Sequence, residues 1–239
     1  MEKRTAVPLL LVVVILAVFF GAPGLFSGED PNGSGPEGTP TDTPLPQAPG
    51  VGQETLENVT ALLKTYRGSM TNVGFVAEAQ TTNATTVYTY ARNGSRMIER
   101  QNGSRVLWTN GTVTLAREES GGNVTYSRPP AAALSVERLT RASRFEVLLT
   151  AAGYERDGTA PCGDTTCVVL TATGSGESPY RNFTAEVHVD RTGVIHRFEA
   201  EYVRDFDDRQ FDLEFVVTQL GKESIARPDW VGEGLNATA

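Results

Sequence analysis

From Phe183 to Val217 apolar side chains alternate along three runs: Phe183, Ala185, Val187 and Val189, then Val194, Phe198, Ala200 and Tyr202 with His196 interrupting, then Phe211, Leu213, Phe215 and Val217. A period of two places each set on one face of a strand. The intervening positions carry Glu186, Arg197, Glu199, Glu201, Asp212 and Glu214. Charge on one face and hydrocarbon on the other is the pattern of an antiparallel sheet with a dry and a wet side, and it excludes a parallel sheet buried on both faces.

Upstream, Asn93-Gly94, Asn102-Gly103 and Asn110-Gly111 fall 9 and 8 residues apart. Asn-Gly is a hairpin turn, so this spacing predicts a meander of short strands. Phe75 to Gln80 and Val87 to Ala91 precede it, Thr112 to Arg117 and Asn123 to Ser127 follow, and Cys167 to Thr173 opens the second set of strands. Two amphipathic helices are predicted. Thr55 to Tyr66 aligns Leu56, Val59, Leu62, Leu63 and Tyr66 on one stripe. A second helix, capped by Ser135, runs to Ala152 with Val136, Leu139, Ala142, Phe145, Leu148 and Leu149 inward and Gly153 as its stop. The class is therefore α+β: a curved antiparallel sheet of about 10–11 strands wrapped over two helices.

The N-terminal part has a different composition. Residues 1–5 are a short tip containing Lys3 and Arg4, and residues 6–26 form an uncharged run of 21. A bilayer core needs ~20 apolar residues as a helix, so the run can span, and the basic tip favours a cytoplasmic N-terminus. The competing reading is a cleaved signal peptide, and either one exports the rest of the chain. Residues 27–53 draw 12 of their 27 positions from Gly and Pro. Such a stretch reads as a disordered stalk, reaching on the order of 30 Å as a flexible coil. The folded domain is expected over 54–232, with a tail at 233–239.

Nine of the ten asparagines stand in Asn-x-Ser/Thr sequons, among them Asn58, Asn83, Asn93, Asn102, Asn110, Asn123 and Asn182. With Ser and Thr at 40 of 239 positions, chance would supply roughly two of the ten. N-glycosylation of an exported surface accounts for the excess, and turn chemistry accounts for part of it where Gly follows. Cys162 and Cys167 flank Gly163-Asp164-Thr165-Thr166, and in an exported domain this spacing reads as a structural disulfide across a turn.

A net charge of -8 excludes the electrostatic footprint of a nucleic-acid partner. His188 and His196 flank a turn, but strict alternation sends them to opposite faces, so no metal site is expected there. Asp205, Asp207 and Asp208 have the start of a calcium loop, yet Arg209 occupies a ligand position and the loop glycine is missing, which leaves a solvated turn. No nucleophile elbow, P-loop or dinucleotide fingerprint occurs, so neither a catalytic residue nor a cofactor site is predicted.

The order helix, strands, helix, strands, with the late hairpin Val189-Asp190-Arg191-Thr192-Gly193-Val194-Ile195 and the terminal Pro228-Asp229-Trp230, resembles the LolA/LppX-type lipoprotein-carrier superfamily. It is similar in particular to exported, often lipid-anchored proteins of halophilic archaea; 18 Arg against 3 Lys and the acid excess suit such a source. The chain departs from the lipoproteins in having no cysteine to acylate after the apolar run. The resemblance implies an incomplete barrel whose concave face holds a lipid or other apolar ligand. The expected function is thus a membrane-tethered extracellular binding domain, not an enzyme. The alternative is a surface interaction or sensor domain whose core is filled by its own helices.

Overall fold

The computed structural model describes residues 47–100, 104–174 and 180–239. The apolar run, most of the stalk and Asn102 lie outside the described residues. Among the described residues no helix is long and apolar enough to cross a membrane.

One 11-stranded antiparallel sheet organises the domain. Its first half is β1 (Phe75–Thr81), β2 (Ala84–Tyr90), β3 (Arg96–Arg100), β4 (Arg105–Thr109), β5 (Thr114–Ser120) and β6 (Asn123–Ser127). Its second half is β7 (Glu155–Cys162), β8 (Thr165–Thr173), β9 (Tyr180–Asp190), β10 (Ile195–Arg204) and β11 (Gln210–Leu220). The two meanders are joined by the pairing of β1 with β11, from Phe75 opposite Leu220 to Thr81 opposite Leu213. β6 and β7 are the edges, so the sheet is open.

The helices cover the dry face. α1 (Val59–Val73) begins later than its apolar periodicity, because Thr55 and Leu56 are drawn into bridges with Glu155 and Val51. Asn58 then caps it, its Oδ1 accepting the Ala61 N–H at 2.9 Å. A short 3-10 turn (Ala131–Leu134) precedes α2 (Val136–Thr140) and α3 (Ala142–Leu149). The single helix expected from Ser135 to Ala152 is thus broken. Arg141 sits between the two pieces in the left-handed region at φ 59°, and the carbonyl of Thr140, freed from the ladder, accepts the buried Tyr66 hydroxyl at 2.9 Å. Arg67 of α1 ties both pieces down through Glu137 at 3.0 Å and Glu146 at 3.3 Å. Ser143 donates to the same Glu137 carboxylate, and this bond, ahead of the Arg67 ones, holds it below its ordinary pKa despite some burial.

Phe145 of α3 is the centre of the core, stacked on Phe198 at 4.6 Å and edge-on to Phe215 at 5.1 Å. Leu62, Leu63, Tyr66 and Met70 from α1 fill the space beside it. Burying each large apolar side chain contributes ~1.5–3 kcal/mol, which is what fixes the helices against the sheet.

Three local outcomes differ from the sequence expectations. The hairpins after Asn93 and Asn110 are longer than two residues, with each Asn Oδ1 accepting backbone N–H groups inside its own loop. The two-residue turn with both φ angles positive falls instead at Gly121-Gly122, between β5 and β6. The outer face is not wet throughout. Trp108 and Leu115 point away from the main core and pack with Val231 of a C-terminal helix, α4 (Val231–Ala237), so residues assigned to a tail are part of the fold. At the other terminus Ala48 is buried and the Gly50 carbonyl accepts both Glu57 and Asn58 N–H groups, so part of the stretch read as stalk packs into the domain.

Candidate ligand site

The space between the helices and the middle of the sheet is filled by Tyr66, Phe145, Phe198 and Phe215, none of which retains solvent exposure. Room remains at one end. There the break at Arg141, the β1–β2 turn at Thr82-Asn83 and the start of β11 border a solvent-open cavity of about 680 Å³, whose lining includes Arg141, Arg144, Tyr202, Arg209, Phe211 and Leu213.

The left-handed kink carries Arg141 and Arg144 to this end. Arg141 lies over the Tyr88 ring at 5.9 Å, and Arg144 lies over Tyr202 at 5.4 Å. Tyr202 stacks on Phe211 at 5.4 Å, and Arg204 covers the Phe211 ring at 4.3 Å. Burial, aided by the neighbouring Arg141 and Arg204 charges, holds Arg144 below its ordinary pKa, although an arginine remains protonated. Within the cavity lining the carboxylate of Asp212 is bonded by the Thr82 hydroxyl, and Arg209 pairs with Asp207 at 3.4 Å. Among the described residues no carboxylate pairs with Arg141 or Arg144; Arg144 instead donates to the Tyr180 hydroxyl oxygen. Two buried polar atoms at this end, Arg141 Nε and Tyr202 Oη, have no hydrogen-bond partner. Buried polar groups are nearly always paired, so these two are a local cost of the packing at this end; neither atom has accessible surface toward the cavity.

A second recess, of about 480 Å³, lies on the outer face over β8 to β11 and includes Glu186, Glu199, Glu201 and Glu214. Arg197 bridges Glu199 and Glu214 there, and the groove is a solvated charged face.

Cys162 and Cys167 form a disulfide across the β7–β8 hairpin, with Cα atoms 5.9 Å apart. Asn58, Asn83, Asn93, Asn110, Asn123 and Asn182 are all solvent-exposed, and they are spread over the domain without forming a common site. Asn182 adopts φ 52° at an irregularity in β9, a conformation asparagine tolerates. His196 departs from alternation: the register slips between Ile195 and Arg197, and its Nε2 meets Asp190 Oδ2 at 2.9 Å. His188 instead meets Glu186 at 2.7 Å, so the two rings have separate partners. Asp205 and Asp208 pair with Arg181, and Asp207 with Arg204. Among the described residues no cluster of His, Cys, Asp or Glu could hold a metal ion.

The arginine pair was not marked by any motif. In the sequence Arg141 and Arg144 stand on the polar side of the apolar helical stripe, and strict helical periodicity sends both outward.

No protein-family model matches the chain, and no curated protein matches it. Among solved structures it is similar to a LolA superfamily protein from Nitrosomonas europaea, at 8% identity and a TM-score of 0.28, over 72% of this chain and 96% of that one. It is also similar to a DUF1329 family protein from Desulfovibrio piger, at 12% identity and a TM-score of 0.27, over 75% of this chain and 99% of that one.

Proposed function

We propose that this chain is an exported, membrane-tethered binding domain, not an enzyme, which takes an apolar or amphiphilic ligand at the open end of its sheet. The cavity of about 680 Å³ beside Tyr202, Phe211 and Leu213 carries this reading. Its size is that of a small-molecule site, apolar over part of its wall and polar at a few fixed points. The apolar run 6–26 supports tethering, and the exposed sequons support glycosylation on the outer side of the membrane. A ligand in this reading sits at the end of the sheet, because the centre of the concave face is occupied by Phe145 and its neighbours.

That same filled centre favours a second reading, a surface interaction domain without a small ligand. Native mass spectrometry of the full chain purified from its own membranes separates the two. The binding reading expects a bound apolar mass that is released by organic extraction, and repeated recovery of the empty chain would overturn it. A downward mobility shift after deglycosylation is expected; an unmodified mass for the exported protein would refute the glycosylation.

A further inference from the structure

We infer that the ligand is anionic at one end: the cavity grips an oxyanion head group, phosphate-like in charge and shape, between the guanidinium groups of Arg141 and Arg144, with an apolar chain lying on Phe211 and Leu213. This rests on the proposed ligand site and names its chemistry.

Four observations converge. Arg141 and Arg144 bring two positive charges to one cavity wall without carboxylate partners among the described residues, and each is held in place by an aromatic ring beneath it. Placing like charges together at a half-buried site costs energy that a bound anion recovers. Arg144 is half-buried and donates to a neutral partner, the Tyr180 hydroxyl, so its charge is not neutralised within the fold. An oxyanion supplies acceptors to both guanidinium groups, and bonds between charged groups are the stronger kind. The third is the backbone. Arg141 is held at φ 59°, a conformation that costs a non-glycine residue ~1–2 kcal/mol, and a straight helix through this point would turn both guanidinium groups elsewhere. The fourth is the start of α3, where Arg141 is the cap residue and no side chain caps the first turn, so the positive end of the helix lies beside the same wall. Beyond the charged wall, Phe211 and Leu213 continue the lining with hydrocarbon, which is where a chain attached to the head group finds contact.

The test uses the full chain in dodecyl maltoside micelles doped with dodecyl phosphate, so that a neutral and an anionic head group compete on the same alkyl chain. Native mass spectrometry counts the adducts of each. Dodecyl phosphate is expected to be enriched at least about tenfold over its share of the micelle, and Arg144→Gln is expected to abolish the enrichment, since one charge-assisted contact is worth about ten- to a hundredfold in affinity. Arg144→Lys keeps the charge and should retain part of it. Arg141→Gln removes the other guanidinium, so its expected loss of enrichment is readable even if Arg144→Gln proves unstable. Adducts in proportion to the micelle, unchanged by these substitutions, would overturn the anionic assignment and leave the binding site standing. Failure to retain either amphiphile would bring down the site itself. Inorganic phosphate, added alone, should bind far more weakly than dodecyl phosphate; equal retention would show a site for a free oxyanion and refute the amphiphile.

Discussion

Asp190 is 4% exposed and stands at the head of the Val-Asp-x-Thr-Gly hairpin. One carboxylate oxygen accepts the Thr192 N–H at 2.8 Å, the Thr192 hydroxyl at 2.7 Å and the Val194 N–H at 3.0 Å, while the other meets His196 at 2.9 Å. Asp190→Ala removes all of these at once. Thr192 is exposed and its groups return to water, but Val194 is 2% exposed and its N–H cannot. A buried donor left unpaired costs ~1–3 kcal/mol, and a hydrogen bond to a charged group contributes ~1.5–3 kcal/mol. The expected loss is therefore ~3–5 kcal/mol, and at ~2–4 °C per kcal/mol for a domain of this size it lowers the melting temperature by ~10 °C. Thermal melts of the full chain followed by circular dichroism measure it directly.

The same carboxylate gives the loss a pH dependence of known sign. Burial pushes its pKa up, but the bonds from His196, Thr192 and the Val194 and Thr192 N–H groups outweigh that and hold it below the ordinary value. A carboxyl whose folded pKa is depressed stabilises the protein fully above its unfolded value of ~4, and that stability is lost as pH falls through the folded value. The gap between the natural chain and Asp190→Ala should be full at pH 7 and close steadily below about pH 4. A shift under about 3 °C at pH 7, or a gap that persists undiminished in strong acid, would refute the reasoning.

Phe145→Ala removes the ring between Phe198 and Phe215 and is expected to cost ~3–5 kcal/mol by denaturant titration; a loss below about 1 kcal/mol would mean that α3 is not seated as described. Reducing the Cys162–Cys167 bridge opens only a short loop, so stability should fall by ~2 kcal/mol at most, and global unfolding on reduction would contradict this. Trp230→Ala removes the ring stacked on Tyr126 and should raise amide exchange in β5 and β6 while leaving β9 to β11 protected; uniform deprotection would show that the outer cluster is not a separate unit.

Much of the sheet was legible because a period of two survives over most of β9, β10 and β11, where Phe183, Val187, Phe198, Ala200, Leu213 and Phe215 share one buried face. Alternation failed at His196, where one extra residue in β10 turned a side chain toward Asp190. No local signal marks that slip, since it is settled by the pairing of Ile195 with Val189 and Arg197 with His188. The outer cluster was equally hidden. Leu107 and Trp108 are adjacent apolar residues in one strand, and only the arrival of α4 some 120 residues later explains why both are buried.

The ligand end was the least legible part for a related reason. The apolar positions from Val136 to Leu149 fit one helix, and two arginines on its polar side would ordinarily be read as solvated. What redirects them is the left-handed residue at 141, which is disfavoured locally and imposed by distant partners: Tyr66 claims the Thr140 carbonyl, and Arg67 fixes Glu137 and Glu146 on either side of the break. Both partners lie on α1, more than 70 residues away. The site is therefore a product of helix-on-helix packing, and a change that straightens the α2–α3 junction should lose the cavity's charge without altering any residue that lines it. Tyr66→Phe is that change: it keeps the ring in the core, returns the Thr140 carbonyl to the helix, and should weaken the enrichment of dodecyl phosphate while the melting temperature falls by no more than the loss of one hydrogen bond, ~1 kcal/mol, requires.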